Sequence, residues 1–382
     1  MPDAAPAAAS DPRTAPYDAL LLVSFGGPEQ PSDVMPFLEN VTRGRGIPRD
    51  RLAAVAHHYD DFGGRSPIND QCRALLAALR TELDSRSIDL PLYWGNRNWD
   101  PFLGPAVERI VADGHRRVVA VLTSAYPSYS SCRQYRENLF DAFDPQSASG
   151  VTVDKIRHYS DHPGFVTASV DATDAALDEL GELGDDARLV FMTHSIPDAM
   201  ATTAGPAPRS PEGGYVDWHL AVAAAVTRGV EERRGRSYAF DLAFCSRSGP
   251  PSQPWLEPDV NDHLAELKQS GVPAVVLVPI GFVSDHMEVI YDLDTEAEET
   301  AEGLGLPFAR AATAGTHPAF VAGLVDLMLE RAAAARGEEP ARPVVDGGPV
   351  GWYDCQPDCC RNLRDPGRLA LFQVGGPVPT PV

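Results

Sequence analysis

The segment Ser284–Glu296, SDHMEVIYDLDTE, places one histidine and five acidic residues directly after the apolar run AVVLVPIGFV (274–283). Wound as a helix, it stacks Glu288, Asp292 and Glu296 on one face at i, i+4 and i+8. Neighbours on such a row lie about 5–6 Å apart. At an effective dielectric of ~20 that costs roughly 3 kcal/mol per ionised pair, or about 2 pKa units. Water screens this repulsion, and a row facing solvent is simply an acidic face. Inside a cleft the repulsion raises the carboxylate pKa values unless protons or a cation are shared, which suits a path for either. A second candidate is His194, which ends the apolar run ARLVFMTHS (187–195) ahead of Ile-Pro. A strand-end imidazole kept neutral by burial can take a proton or hold a metal. The third is DCQPDCC, with Cys355, Cys359 and Cys360 inside six residues of a polar loop. Three soft ligands so close suggest zinc or an iron–sulfur cluster, with a fourth ligand from elsewhere. Cys72 and Cys245 lie in apolar patterns and read as core residues.

These groups need strand ends and loops to aim them. The runs DALLLVSF (18–25), VVAVLTSAY (118–126), ARLVFMTHS (187–195), YAFDLAF (238–244) and AVVLVPIG (274–281) read as buried parallel strands. They alternate with amphipathic stretches such as NDQCRALLAALRTELDSR and HPGFVTASVDATDAALDELGEL. The alternation predicts an α/β fold of two similar doubly wound, Rossmann-like halves with parallel sheets and no internal repeat in the sequence. The expected organisation is a disordered tail over 1–16, α/β domains over 17–160 and 161–320, and a helix over 321–340 packing back near the joint. An extension over 341–382 then carries the cysteine loop. In open parallel sheets ligands sit beyond the carboxyl ends of the strands, where SFGGPEQ, THSIPDAM and GFVSDHMEVIYD all fall. SFGGPEQ lacks both GxGxxG and GxxxxGK[ST], so a nucleotide site is not indicated.

The chain has 382 residues and a formal charge of −22. Such an acidic balance argues against nucleic acid or anionic membrane as a general partner and leaves a cationic ligand open. No apolar stretch approaches the ~20 residues of a membrane span, and the Ala/Pro-rich start is unlike a signal peptide. A cytoplasmic monomer is the expectation.

Together, LLVSFGGPE, HYDDFGGRSPIN, TSAYPSYS, THSIP, SRSGPPSQPWLEP and GFVSDHMEVIYDLDTEAEE resemble the ferrochelatases over about residues 18–325. The resemblance implies two doubly wound domains flanking a porphyrin cleft, and an enzyme that inserts Fe²⁺ into the ring with loss of two pyrrole protons. It implies His194 over the ring centre, Glu288 facing it across the cleft, Asp292 and Glu296 leading outward, and His286 in support. It places Phe25 against the ring, Tyr59 and Ser66 at the propionates, Arg97 in the cleft and Trp255 in its wall. Some ferrochelatases carry a [2Fe–2S] cluster, and the corresponding ligands here are Cys132, Cys355, Cys359 and Cys360. Arg43, Arg45, Arg49 and Arg51, in a lip over 36–61 without an apolar run, favour coproporphyrin III over protoporphyrin IX. The competing readings are a cobalt or nickel chelatase using His286 as a second metal histidine, and a non-catalytic haem or metal carrier.

Overall fold

Every side chain of β1 (Ala19–Ser24) is buried, and its two faces serve different cores. Leu20 and Leu22 join one cluster, while Ala19, Leu21 and Val23 join another. A strand buried on both sides needs a continuous apolar run, and this is why ALLLVS reads so clearly. The computed structural model describes residues 11–205, 210–249, 252–345 and 350–375. β1 pairs in parallel with β2 (Leu92–Asn96) and β3 (Arg117–Leu122), and β3 with β4 (Thr152–Lys155), giving the order β2-β1-β3-β4. A second parallel sheet follows, made of β5 (Arg188–His194), β6 (Phe240–Cys245), β7 (Val275–Val278) and β8 (Phe308–Arg310). Its order is β6-β5-β7-β8.

Both sheets therefore share one topology, a structural repeat with no counterpart in the sequence. Three strands, β2, β4 and β8, escaped the reading of apolar runs. All three are edge strands, half-covered along most of their length, so their sequences carry little apolar pattern.

The helices are α1 (Pro31–Val41), α2 (Arg49–His57), α3 (Ile68–Ser85), α4 (Leu103–Ala112), α5 (Gln134–Phe143) and α6 (Pro163–Glu179) in the first part of the chain. They continue with α7 (Asp198–Ala201), α8 (Gly214–Arg234), α9 (Val260–Gln269), α10 (Met287–Ile290), α11 (Glu298–Leu304) and α12 (Pro318–Ala335). α3, α6, α8 and α12 lie between the sheets and share one core with Leu20 and Val119 of the first and Leu189 and Val276 of the second. α4 and α5 cover the outer face of the first sheet, and α9 and α11 that of the second.

Of the segment read as a tail, residues 11–16 are held in place. Arg336 on the far side of α12 donates to the carbonyls of Arg13 and Ala15, and Thr14 is buried. Residues 1–10 lie outside the described residues, as do 346–349 and 376–382 of the extension. The rest of the extension is tied back by buried arginines. Arg157 binds Glu330 of α12 at 2.9 Å, Asp161 at 3.0 Å and the Pro343 carbonyl at 2.7 Å. Among the described residues no helix is long and apolar enough to cross a membrane.

α6 and α12 begin side by side, and Gly164 makes that approach possible. A β-carbon there would overlap the Ala319 carbonyl of α12, which is rigid backbone. Gly164→Ala should therefore destabilise the fold by about 1–3 kcal/mol through overpacking, read as a lower urea midpoint at unchanged m value. An unaltered midpoint would mean that the two helices separate freely at this point.

Candidate active site

β5 ends at His194, which sits at the carboxyl edge of the second sheet between β6 and β7. In each sheet the connections diverge from the two central strands, and the crevice this opens is where α/β proteins receive ligands. His194 is fixed from behind. Tyr215 of α8 donates its hydroxyl to the His194 carbonyl at 3.0 Å, and the Thr193 hydroxyl bridges Tyr215 and His219 at 2.7 and 2.9 Å. Burial pushes the His219 imidazole down to about 3, so this brace is neutral. The His194 Nδ1–H donates to the Ser195 carbonyl, which turns Nε2 toward the cleft.

Glu288 meets that nitrogen. His194 Nε2 and Glu288 Oε1 are 3.5 Å apart, and they come from adjacent strand ends of the same sheet. This differs from the expectation that Glu288 faces His194 across the cleft. A flat ring between two groups needs about 7 Å, twice a van der Waals contact, so the pair presents itself to one side of any ring.

The contact also reverses the expectation of a neutral imidazole. Burial alone would lower the His194 pKa, but the Glu288 charge and hydrogen bond outweigh it and raise it to about 9. Glu288 is likewise burdened by burial, yet the imidazolium pulls it down to about 2. The Glu288 side chain remains 49% exposed at the cleft mouth, so water screens part of the attraction. The directions follow from the 3.5 Å contact.

Asp292 behaves differently. Burial, reinforced by the Glu288 charge, raises its carboxyl to about 7 against the opposing hydrogen bond from the Ser246 hydroxyl. Glu296 is raised more gently, mainly by burial. The acidic segment is not one α-helix. α10 gives way to a π-helical turn over Asp292–Ala297, marked by Glu296 N–H donating to the Tyr291 carbonyl at 2.9 Å. The wider turn displaces Glu296 from a strict i+4 column, and Tyr291 stacks on His58 of the lip at 3.9 Å. His286 uses Nδ1 to accept the Glu288 N–H at 3.2 Å as the cap of α10, and burial lowers its pKa.

The lip, α1 and α2, closes over this segment through an apolar cluster of Phe37, Leu38, Leu52, Tyr59 and Met287. Tyr59 and Ser66 are both buried, at 6% and 3% exposure. Ser66 packs under Gly27, where a β-carbon would come within 2.8 Å of it. This close approach accounts for Gly27, and Gly26 beside it has a φ of +81° and would meet Asn96 at 2.8 Å. Phe25 follows β1 and joins Phe37 edge-on at 6.3 Å. Arg97 lies over Phe25 and Tyr135, and its Nε donates to Asn138 at 2.7 Å. Trp255 sits apart from these groups. It bridges Pro197 in antiparallel fashion and fills the space above Gly249, bracing the segment just after His194. Ser246 and the brace of Tyr215 and His219 escaped sequence reading. Ser246 alone left a signal, as the residue straight after β6.

Cys132 lies in a π-helical turn before α5, and the other three cysteines lie in the extension. Cys132, Cys355, Cys359 and Cys360 are all buried and form one cluster, with Cys359 and Cys360 sulfurs 3.6 Å apart. Among the described residues no His, Cys, Asp or Glu group is spaced as a ready-made metal site. Hydrogen bonding among the four thiols lowers Cys355 and Cys360 and raises Cys132 and Cys359, with Arg136 and Lys155 adding to the lowering at Cys355.

Fold and site define a doubly wound α/β protein whose strand-end cleft pairs an imidazole with a chain of carboxylates, equipped to exchange protons and to receive a cation. The ferrochelatase family model matches residues 17–332. A coproporphyrin III ferrochelatase of Streptomyces coelicolor is 55% identical over 350 residues, covering 90% of this chain and 93% of the relative. One of Leifsonia xyli is 51% identical, covering 91% and 92%, and a ferrochelatase of Rhodopirellula baltica is 45% identical, covering 90% and 93%. The solved structure of SirB from Bacillus subtilis with Fe³⁺ aligns with a TM-score of 0.48 at 13% identity, over 84% of this chain and 97% of that one. This chain belongs to the ferrochelatase family.

The ion pair sets a pH window. The raised His194 pKa adds stability that is complete below its unfolded value near 6.5 and fades as pH rises through about 9. The lowered Glu288 pKa adds stability that is complete above 4.5 and is lost as pH falls through about 2. Both are complete only between these unfolded values. With Glu288→Gln, burial should dominate and the His194 pKa should fall by at least about one unit. Imidazole titration by NMR reads this directly, and an unmoved His194 would show that Glu288 is not its partner.

Proposed function

We propose that this protein inserts Fe²⁺ into coproporphyrin III in haem biosynthesis, using the His194–Glu288 pair as the centre of proton and iron handling. The 3.5 Å contact between the two groups is the observation that carries the reading, in a chain of the ferrochelatase family. Each turnover takes one Fe²⁺ into the ring and releases two protons from its pyrrole nitrogens. His194 Nε2 faces the cleft and receives a pyrrole proton once it has lost its own.

The Glu288 charge favours a proton on that nitrogen in the ligand-free protein, so the site must first unload it. Asp292, with a carboxyl raised to about 7, exchanges protons readily at neutral pH. It lies next along the acidic segment and is held by Ser246. An arriving dication repels the imidazolium proton and is attracted to Glu288, so iron entry and proton exit drive each other. Imidazole and carboxylate together suit ferrous iron. Asp292 and Glu296 extend the path outward. Engagement of His286 as a helix cap disfavours the two-histidine arrangement of a cobalt or nickel chelatase.

Coproporphyrin carries four propionates where protoporphyrin carries two. The relatives named coproporphyrin III ferrochelatase and the arginines of the lip support the more carboxylated ring. Arg49 is neutralised by Glu39 at 3.3 Å, whereas Arg43, Arg45 and Arg51 have no ion pair among the described residues. Anaerobic turnover with Fe²⁺ should give a higher kcat/KM for coproporphyrin III than for protoporphyrin IX in the same detergent. His194→Ala should abolish insertion and leave porphyrin binding within about tenfold, since it removes a proton acceptor and spares the ring contacts. Protein that binds the ring without any turnover would instead be a carrier.

We also infer a resident [2Fe–2S] cluster on Cys132, Cys355, Cys359 and Cys360. Four buried sulfurs converge, and the Gly205 N–H donates to Cys360 Sγ at 3.4 Å. Arg136 and Lys155, both buried, supply the positive charge that an anionic cluster requires. Such a cluster provides a one-electron redox centre. The purified protein should be red-brown and bleach with dithionite, and Ser at any of the four positions should remove the colour. Cys72→Ser and Cys245→Ser should keep it. Colourless protein holding stoichiometric zinc after growth in ample iron would refute the cluster.

A further inference from the structure

Five acids occupy Ser284–Glu296, yet the path described above uses Glu288, Asp292 and Glu296. The other two, Asp285 and Asp294, are taken by one side chain. Arg310 is the last residue of β8 and lies in register with Leu277 of β7. Its Nε and one Nη donate to the two carboxylate oxygens of Asp294, both at 2.6 Å. The other Nη donates to Asp285 Oδ1 at 3.3 Å, and the same oxygen accepts the Thr313 hydroxyl at 3.2 Å. The Asp285 N–H donates to Gln71 of α3 at 2.8 Å, which ties the start of the segment to the first half of the chain.

His286, Glu288 and Asp292 all lie between the two clasped carboxylates. The backbone that carries them has little stiffness of its own. α10 is four residues long and passes straight into the π-helical turn, whereas an isolated helix needs about 12–15 residues to persist. Val289 and Leu293 anchor the apolar side of this stretch in the outer core of the second sheet. Arg310 anchors the polar side, joining one end of the stretch to the other. A planar guanidinium suits the task, because it grips one carboxylate in parallel bonds and keeps a further N–H for the second. A lysine ammonium is a single point of charge and lacks that fork. The 3.5 Å reach from Glu288 to His194 is therefore set from an edge strand on the far side of β7.

We propose that Arg310 is a positioning residue for the His194–Glu288 pair, clasping Asp285 and Asp294 so that the stretch between them is held beside His194. Its effect on turnover rests on the ferrochelatase reading above, whereas its effect on the stretch itself does not. Arg310→Gln should lower kcat at least about tenfold, as displacement of a reacting group does, and leave the porphyrin KM within about twofold. Rates are counted per folded molecule, with urea midpoints measured alongside, so a loss of stability alone leaves kcat unmoved. Asp294→Asn should act in the same direction, and the double variant should be no slower than the slower single one, since both break one contact. Arg310→Lys should recover less than half of the loss. In hydrogen exchange of the ligand-free protein, residues 286–294 should exchange at least about tenfold faster in Arg310→Gln, with β5 unchanged. An unchanged kcat in Arg310→Gln, multiplying losses in the double variant or full recovery by lysine overturns the positioning role. Wild-type protein without turnover overturns the ferrochelatase reading instead, and the clasp then stands or falls on the exchange of residues 286–294.

Discussion

The site depends on two opposed effects at one nitrogen. Burial at the end of β5 favours a neutral His194, and a carboxylate 3.5 Å away favours the imidazolium. The carboxylate outweighs burial in the ligand-free protein, at a ring that the Ser195 carbonyl orients on a backbone held by Tyr215. In the proposed reaction His194 must lose that proton before it can act as a base, and the acidic segment beside it offers acceptors of very different proton affinity. Glu288 is held ionised by the imidazolium, and Asp292, one turn further on, is held near neutrality by burial and the Glu288 charge.

Charge is distributed with the same logic on a larger scale. The protein is strongly acidic overall, which suits attraction of a dication, yet its porphyrin is itself an anion. The opposing requirements are separated in space. Carboxylates line the segment after β7, and Arg97, after β2, lies over Phe25 at the end of β1. Apolar packing of Tyr59, Phe37 and Met287 joins the two walls at the lip.

The extension is integrated through buried arginines. Arg133 and Arg136 reach the Arg368, Leu371 and Phe372 carbonyls, and Cys355 donates its N–H to Phe372 at 2.7 Å. Cys360 N–H donates to the Thr203 carbonyl at 2.9 Å, in the segment that continues from His194 through α7. The cysteine cluster therefore lies where the two halves and the extension meet.

Much of this was legible in the sequence. Central strands buried on both faces must be continuous apolar runs, so β1, β3, β5 and β7 and the α/β class could be read directly. His194 and the acidic residues could be placed at strand ends, because a strand must stop where its apolar run stops. Edge strands β2, β4 and β8 could not be read, since one-sided contact imposes little pattern. β6, the fourth edge strand, was legible because its FDLAFC run is mostly apolar and ends buried. Nor could the turn that breaks the Glu288–Asp292–Glu296 row, because a π turn differs from an α turn by one hydrogen bond rather than by composition. The proton on His194 was also out of reach. Its sign depends on a distance between strand ends about ninety residues apart, and that distance exists only once β5 and β7 are paired. Local sequence determines which groups are available, but long-range packing alone decides which of them lie close enough for charge to act.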